Sequence, residues 1–343
     1  MRKLISKSGL ILLIVVSINL ITGLIRLKAK DDIPYMTNRR EAFITANQFY
    51  GRTDTAVYIK TRTDLGHDSI NLPNGILRIC DHYGFSNITG NTEPEVLYLG
   101  DSFFDDPHIS TTEGIQALTN KKMKRNCSYN LGSNGCSGFR VYNELSSKYF
   151  TKKPKVIFFE TVERALASNI PDAVKQLISK QYKSVTHHYY GLDLLLGANF
   201  KEIESSNLFT QKRDKKYGYV KTIDGKKVWF LRNKLSEYAE LSSIAESMDK
   251  ITQVLQLQNI KVVFIIAPDK ESMYPELFGV SKIVMLHHLM RAKNIAFIDV
   301  YSELLKNRDS YYYDTDTHWN GRAIDLLTTM TTNYCLHSID TMH

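Results

Sequence analysis

The sequence predicts an α/β protein: a five-stranded parallel sheet flanked by helices, a three-layer sandwich. Three observations predict it. Five short apolar runs, at 96–99, 127–131, 155–160, 261–266 and 295–300, alternate with stretches of helical period. Outside 127–131, the runs are apolar at consecutive residues rather than at every second one, as in strands buried on both faces. Each connection is long enough for a crossover helix, and one is far longer, which places an insertion at about 165–250 between the third and fourth strands.

The chain of 343 residues begins with Arg2, Lys3 and Lys7, followed by an uncharged run over 8–25. That run is long enough to span a bilayer and is followed by no small-residue cleavage pattern. Residues 1–30 are therefore expected to form a cytoplasmic tip and an N-terminal transmembrane signal anchor. The chain would then be single-pass in the cell membrane, with its main domain extracytoplasmic. Residues 31–94, punctuated by Pro34, Gly51, Gly66, Pro73, Gly75 and Gly84, read as an irregular lead-in that straps the domain or adds edge strands.

The domain itself is expected over 95–343. Its first strand, 96–99, runs into Gly100-Asp101-Ser102-Phe103-Phe104, with a helix expected to follow. Further helices are expected over 112–124 and 139–149, the second marked by Val141, Leu145 and Tyr149. Between them lies the strand 127–131, which ends in the turn Gly132-Ser133-Asn134-Gly135. Pro154 introduces the third strand. A helix over 236–257 returns the chain from the insertion to the fourth strand, which ends at Ala267-Pro268-Asp269-Lys270. After the fifth strand, a helix over 320–334 closes the chain. Right-handed crossovers bring every strand's C-terminal end to one edge. Ser102, the 132–135 turn, Glu160 and Asp269 should share that edge, and the segment 314–320 can fold back over it.

Composition narrows the function. Hydrophobic content is 43%, charged content 23% and net charge +8, which suits a globular protein with a solvated basic surface. The basic clusters at 121–125 and 212–216 lack interleaved aromatics, so no nucleic-acid partner is expected. Cys80, Cys127, Cys136 and Cys335 form no C-x-x-C pair, and His187-His188 lacks a third ligand at clear spacing; no metal is expected. The four cysteines fit one or two disulfides or four buried thiols equally well.

Chemistry concentrates at two places. Ser102, at a strand end, is a candidate nucleophile, but a serine needs a base. His318 is the candidate base. Asp316, two residues earlier, points the same way on an extended loop and can accept from the imidazole. Asp314 has the same parity and is the reserve acid. The Ser102 N–H is the first oxyanion donor, with a second N–H from the turn at Gly135, or an amide from Asn130 or Asn134. Trp319 could wall the site, and Asn320 could cap the last helix. Each motif alone is weak, since a serine after a strand is often a helix cap and Asp-x-His is often a surface turn. Their joint placement, at the first strand end and before the last helix, favours an active site.

At these residues the sequence resembles the SGNH/GDSL hydrolase superfamily. Gly100-Asp101-Ser102 corresponds to its nucleophile motif, Asp316 and His318 to its last motif, and Gly135 to the glycine of its second. The superfamily's Gly-x-Asn-Asp motif is missing; Glu160-Thr161-Val162-Glu163-Arg164 stands there instead. The Glu163-Arg164 pair, Ala267-Pro268-Asp269-Lys270, Tyr274-Pro275-Glu276 and Asp316-Thr317-His318-Trp319-Asn320 resemble the SGNH-like domain of the alginate O-acetylation proteins AlgJ and AlgX, over about 95–334. In that group Asp-x-His precedes the serine motif, whereas here the serine comes first. The single anchor, early serine and late histidine are also similar to DltD, the D-alanyl transfer protein of teichoic acids. The resemblance implies O-acetyl transfer to a cell-surface or secreted polysaccharide. Ser102 would carry the acetyl group and His318 would act as base and then acid. A membrane-bound O-acyltransferase would supply acetyl groups, with no cofactor. Arg164 and Asp269-Lys270 would be structural or substrate-facing. The same triad would serve a carbohydrate acetylesterase, and the same fold a non-catalytic glycan-binding or assembly protein.

Overall fold

The computed structural model describes residues 54–62, 69–81, 85–105, 108–132, 139–179, 218–231, 241–314 and 316–339. The expected anchor at 8–25, the turn residues Asn134 and Gly135, and His187-His188 lie outside them. Among the described residues, no helix is long and apolar enough to cross a membrane.

Where an irregular lead-in is expected, two strands form an antiparallel ribbon, β1 (Asp54–Arg62) and β2 (Ser69–Cys80). The sequence of β1, Asp-Thr-Ala-Val-Tyr-Ile-Lys-Thr-Arg, is rich in β-branched and aromatic residues, which favour an extended chain over the turns suggested by the scattered glycines. The ribbon is tied to the domain by the Leu77 and Ile79 N–H groups, which donate to the hydroxyls of Ser110 (3.0 Å) and Thr111 (2.9 Å).

The central sheet holds β3 (Val96–Leu99), β4 (Ser128–Asn130), β5 (Val156–Val162), β8 (Lys261–Ala267) and β9 (Phe297–Ile298). It is parallel throughout, in the order β4-β3-β5-β8-β9. Every residue of β3 and β5 is buried, Glu160 and Thr161 of β5 included. The fifth strand is shorter than expected because Asp299 accepts from the Ser302 N–H and starts a helix there.

Strand parity assigns the helices to their faces. Helices α1 (Ile115–Met123), α2 (Phe139–Lys148) and α3 (Leu166–Ser179) follow β3, β4 and β5. The insertion contributes a hairpin, β6 (Gly218–Ile223) and β7 (Lys226–Leu231), turned at Asp224-Gly225 with φ of 48° and 79°. Positive φ at both residues is the signature of the tight Asp-Gly hairpin turn. After α4 (Leu241–Gln256) come the short α5 (Pro275–Phe278), then α6 (Ile283–Ala292), α7 (Val300–Leu305) and α8 (Gly321–Ile339). Phe158 meets Tyr334 of α8 at 5.9 Å between ring centroids, and Tyr98, stacked on Phe158, bonds Thr119 of α1 and Thr331 of α8. The next residue, Phe159, packs on Phe139 of α2 at 4.7 Å. Hence α1 and α8 cover one face, and α2 covers the other.

The first strand sits between the second and the third, so the chain leaves β3 in one direction and later resumes on its other side at β5. Such a reversal opens a crevice at the C-terminal ends of the two strands, where α/β sites form. Ser102 follows β3 at that point, and Glu160 lies in β5 beside it.

Candidate active site

The turn after β3 is shaped by the residue beneath it. Gly100 lies so close to β5 that an added Cβ would come within 2.4 Å of Glu160 Oε2. That oxygen accepts the Asp101 N–H at 2.9 Å. Asp101 in turn accepts from the Phe103 N–H through Oδ1 (3.0 Å), and its carbonyl accepts from Phe104 N–H at 3.2 Å. The result is a tight turn that carries the half-buried Ser102 toward the surface. The Ser102 N–H has no protein partner among the described residues.

The other half of the site comes from the loop before α8. His318 Nε2 lies 2.8 Å from Ser102 Oγ, and Nδ1 lies 2.6 Å from Asp316 Oδ1. The same Asp316 oxygen accepts the His318 N–H at 2.8 Å. Asp316 is fully buried. Burial works against its charge, but hydrogen bonds from His108 and His318 outweigh that and hold the carboxyl well below the usual carboxylate range. Asp314 is exposed and offers the scaffold its main-chain carbonyl, which accepts from Trp229 N–H of β7 at 3.0 Å. The pairing with His318 thus falls to Asp316.

His108 is the residue that sequence reasoning missed. Its Nε2 lies 3.2 Å from Asp316 Oδ2. His108, Asp316 and His318 present ligand atoms within 4.8 Å of one another, the one such cluster among the described residues. The two histidine–carboxylate bonds account for that spacing.

The segment after β8 holds the loop from below. Lys270, only 2% exposed, donates from Nζ to the carbonyls of Asp314 (2.9 Å) and Asp316 (3.2 Å), and to that of Tyr313. Its neighbours reach elsewhere. Asp269 pairs with Arg164, Glu271 accepts the Leu231 N–H of the hairpin at 2.6 Å, and the Ser272 hydroxyl bonds Glu163. Arg164 is thus part of a buried polar network: Glu163 also accepts from the Asp269 N–H (3.0 Å) and the Ser281 hydroxyl (2.8 Å). Burial outweighs the Arg164 charge at Asp269 and pushes its carboxyl up to about 7.

The remaining candidates divide. Trp319 is fully buried and does not wall the site; it packs edge-on to Phe103 at 5.0 Å and donates to Tyr312 Oη at 3.0 Å, backing the loop from the core. Asn130 is also spent on the scaffold. Its amide donates to the Phe104 carbonyl (2.9 Å) and its Oδ1 accepts the Gly132 N–H (2.8 Å). Asn320 accepts the Arg322 N–H at 3.0 Å and caps α8 as expected. Cys127 and Cys335 are free buried thiols.

Residues 223–325 match the family model described as the SGNH hydrolase-like domain of acetyltransferase AlgX. The match includes the hairpin's second strand, Lys270, Asp316 and His318, and does not reach Ser102. Among solved structures the chain is similar to a lipase/acylhydrolase from Enterococcus faecalis, at 12% identity, covering 71% of this chain and 95% of that one, with a TM-score of 0.39. It is also similar to the psychrotrophic esterase EstA from Pseudoalteromonas sp., at 12% identity, 71% and 98% coverage and a TM-score of 0.38. AlinE4, an SGNH-hydrolase family esterase, gives 15% identity, 73% and 98% coverage and a TM-score of 0.33. No curated protein matches the chain.

Proposed function

We propose, from the match of residues 223–325 to an acetyltransferase domain of SGNH hydrolase type, that this chain is a membrane-anchored extracytoplasmic O-acetyltransferase acting on a cell-surface or secreted polysaccharide. The observation that carries the reading is the line Ser102 Oγ, His318 Nε2, His318 Nδ1, Asp316 Oδ1, with links of 2.8 and 2.6 Å. In the first half-reaction Ser102 Oγ attacks the acyl carbonyl of the donor while His318 takes the hydroxyl proton. Asp316 stabilises the imidazolium, and the Ser102 N–H faces the oxyanion. Collapse forms the acetyl-serine ester, and the leaving group departs with the proton from His318. In the second half a sugar hydroxyl attacks that ester, gives its proton to His318, and leaves as the acetylated sugar. Ser102 recovers its proton from His318.

A membrane-bound O-acyltransferase is the proposed acetyl supplier, and the run at 8–25 the tether that holds the two together. Trp229 and Tyr313, both half-buried, lie along the loop beside the exposed Asp314.

The test uses the full chain in detergent with a chromogenic acetyl ester, alone and with an oligosaccharide acceptor, beside Ser102→Ala. Acetylated oligosaccharide that depends on Ser102 is the expected result. Acetate release with no transfer would make the chain an esterase. No turnover together with no covalent Ser102 adduct would overturn the enzyme reading altogether.

A further inference from the structure

Asp316 has two carboxylate oxygens, and His318 occupies only one. Oδ1 accepts both the His318 N–H and the Nδ1–H. Oδ2 faces His108 Nε2, and the two side chains are 1% and 0% exposed. His108 reaches this position from the segment that follows the Ser102 turn. Its ring meets Tyr313 edge-on at 5.1 Å between centroids, and its carbonyl accepts from the Tyr313 hydroxyl at 3.4 Å. The His108 and His318 rings stand 5.9 Å apart at 72°. Two polar side-chain links between the serine-bearing segment and the histidine-bearing loop matter here, Ser102 to His318 and His108 to Asp316.

The second contact bears on the first. The terminal torsion of an aspartate is broad, so a carboxylate held through one oxygen can rotate and swap its acceptor. A donor on the other oxygen removes that freedom. We propose that His108 is a positioning residue of the acyl-transfer site: it donates from Nε2 to Asp316 Oδ2, fixes the plane of the carboxylate, and so keeps Oδ1 on the His318 Nδ1–H. A histidine donates in this way whether neutral with its proton on Nε2 or fully protonated. It touches neither substrate nor reacting atoms, and acts only through Asp316. This inference rests on the reading of Ser102 as nucleophile.

Two variants of the full chain, His108→Ala and His108→Gln, test it with two readouts. One is the rate at which a fluorophosphonate probe labels Ser102. The other is the downfield proton resonance of the short His318 Nδ1–H···Asp316 bond, which reports the carboxylate's position without any turnover. His108→Ala should slow labelling roughly ten- to a hundred-fold, the scale of a misplaced catalytic group, and should shift or broaden the resonance. His108→Gln keeps an amide donor and should return both readouts to within a few-fold of the unaltered chain. An unchanged rate and resonance in His108→Ala would overturn the proposal. So would stoichiometric zinc bound by the unaltered chain and lost in His108→Ala, because His108 would then be a ligand. If the unaltered chain shows the resonance and its His108 dependence while Ser102 does not label, the nucleophile reading fails and the His108–Asp316 link stands.

Discussion

Lys270 holds Asp314 by its main-chain carbonyl, 2.9 Å from the ammonium, and the carbonyls of Tyr313 and Asp316 complete the set. A buried cation thus organises the loop that presents His318, much as a bound ion would. Replacing it with Met leaves three carbonyls without a charged donor, at a cost of roughly 3 kcal/mol. Urea unfolding should register that loss in Lys270→Met, and Ser102 labelling should slow in parallel. Full stability with full labelling would show that the loop holds itself.

Ser102, His318 and Asp316 should fail as a unit. Each of Ser102→Ala, His318→Ala and Asp316→Asn should lower acetyl-ester turnover by a factor of about a thousand or more, and double variants should lose little beyond the singles. Asp314→Asn should stay within about twofold of the unaltered chain, because its carboxylate is exposed and its carbonyl is retained. A large loss in Asp314→Asn with a small one in Asp316→Asn would reverse the assignment of the acid.

Glu160 supplies a pH test. Burial, then the charge of Asp101, pushes its carboxyl well above the usual range. The folded protein therefore holds a proton that the unfolded chain releases near pH 4 to 5. Stability present in acid is lost as pH rises through and beyond that window, toward the folded value. Glu160→Gln keeps an acceptor for the Asp101 N–H without the acid, and should flatten this decline in urea unfolding at pH 5, 6 and 7. An identical slope in both proteins would assign the decline to another group.

His287 gives the opposite sign. Burial against Phe297 lowers its pKa to about 4, against the opposing pull of Asp299 at 3.5 Å. The unfolded chain binds a proton near pH 6.5 that the folded chain accepts only near pH 4. Stability is present above that window and falls as pH drops through it, by about 3 kcal/mol in total. His287→Phe should remove this acid loss, as read from unfolding midpoints at pH 7, 5.5 and 4.5. A variant as acid-sensitive as the unaltered chain would count against His287 as the source.

The five strands, the Asp316-to-His318 spacing and the cap at Asn320 are legible in the sequence because each rests on a local pattern. Apolar runs mark buried strands, and Asp316 and His318 are two residues apart. The contact at His108 has no such pattern. It is a lone histidine near Pro107, and only the packing of the last loop gives it a partner. Trp319 is misread for a similar reason: a large aromatic beside His318 fits a wall or a core equally well until Phe103 is seen against it. The hairpin turn at Asp224-Gly225 carried a readable signal, hidden in a charged stretch that invited a loop assignment. The role of Glu160 under Gly100 follows only from the packing of β3 against β5, so close that an added Cβ at Gly100 would come within 2.4 Å of Glu160 Oε2.

Ser102 and His318 stand 216 residues apart in the chain and come within 2.8 Å of each other in the fold. Until that end of the chain docks, the serine is an ordinary alcohol, with no base to make it reactive. Long-range closure of this kind is slow to form, because the entropy of ordering the intervening chain comes first. In a partly folded molecule the two groups are therefore apart, and the Ser102–His318 contact arrives only with the packing of the two segments.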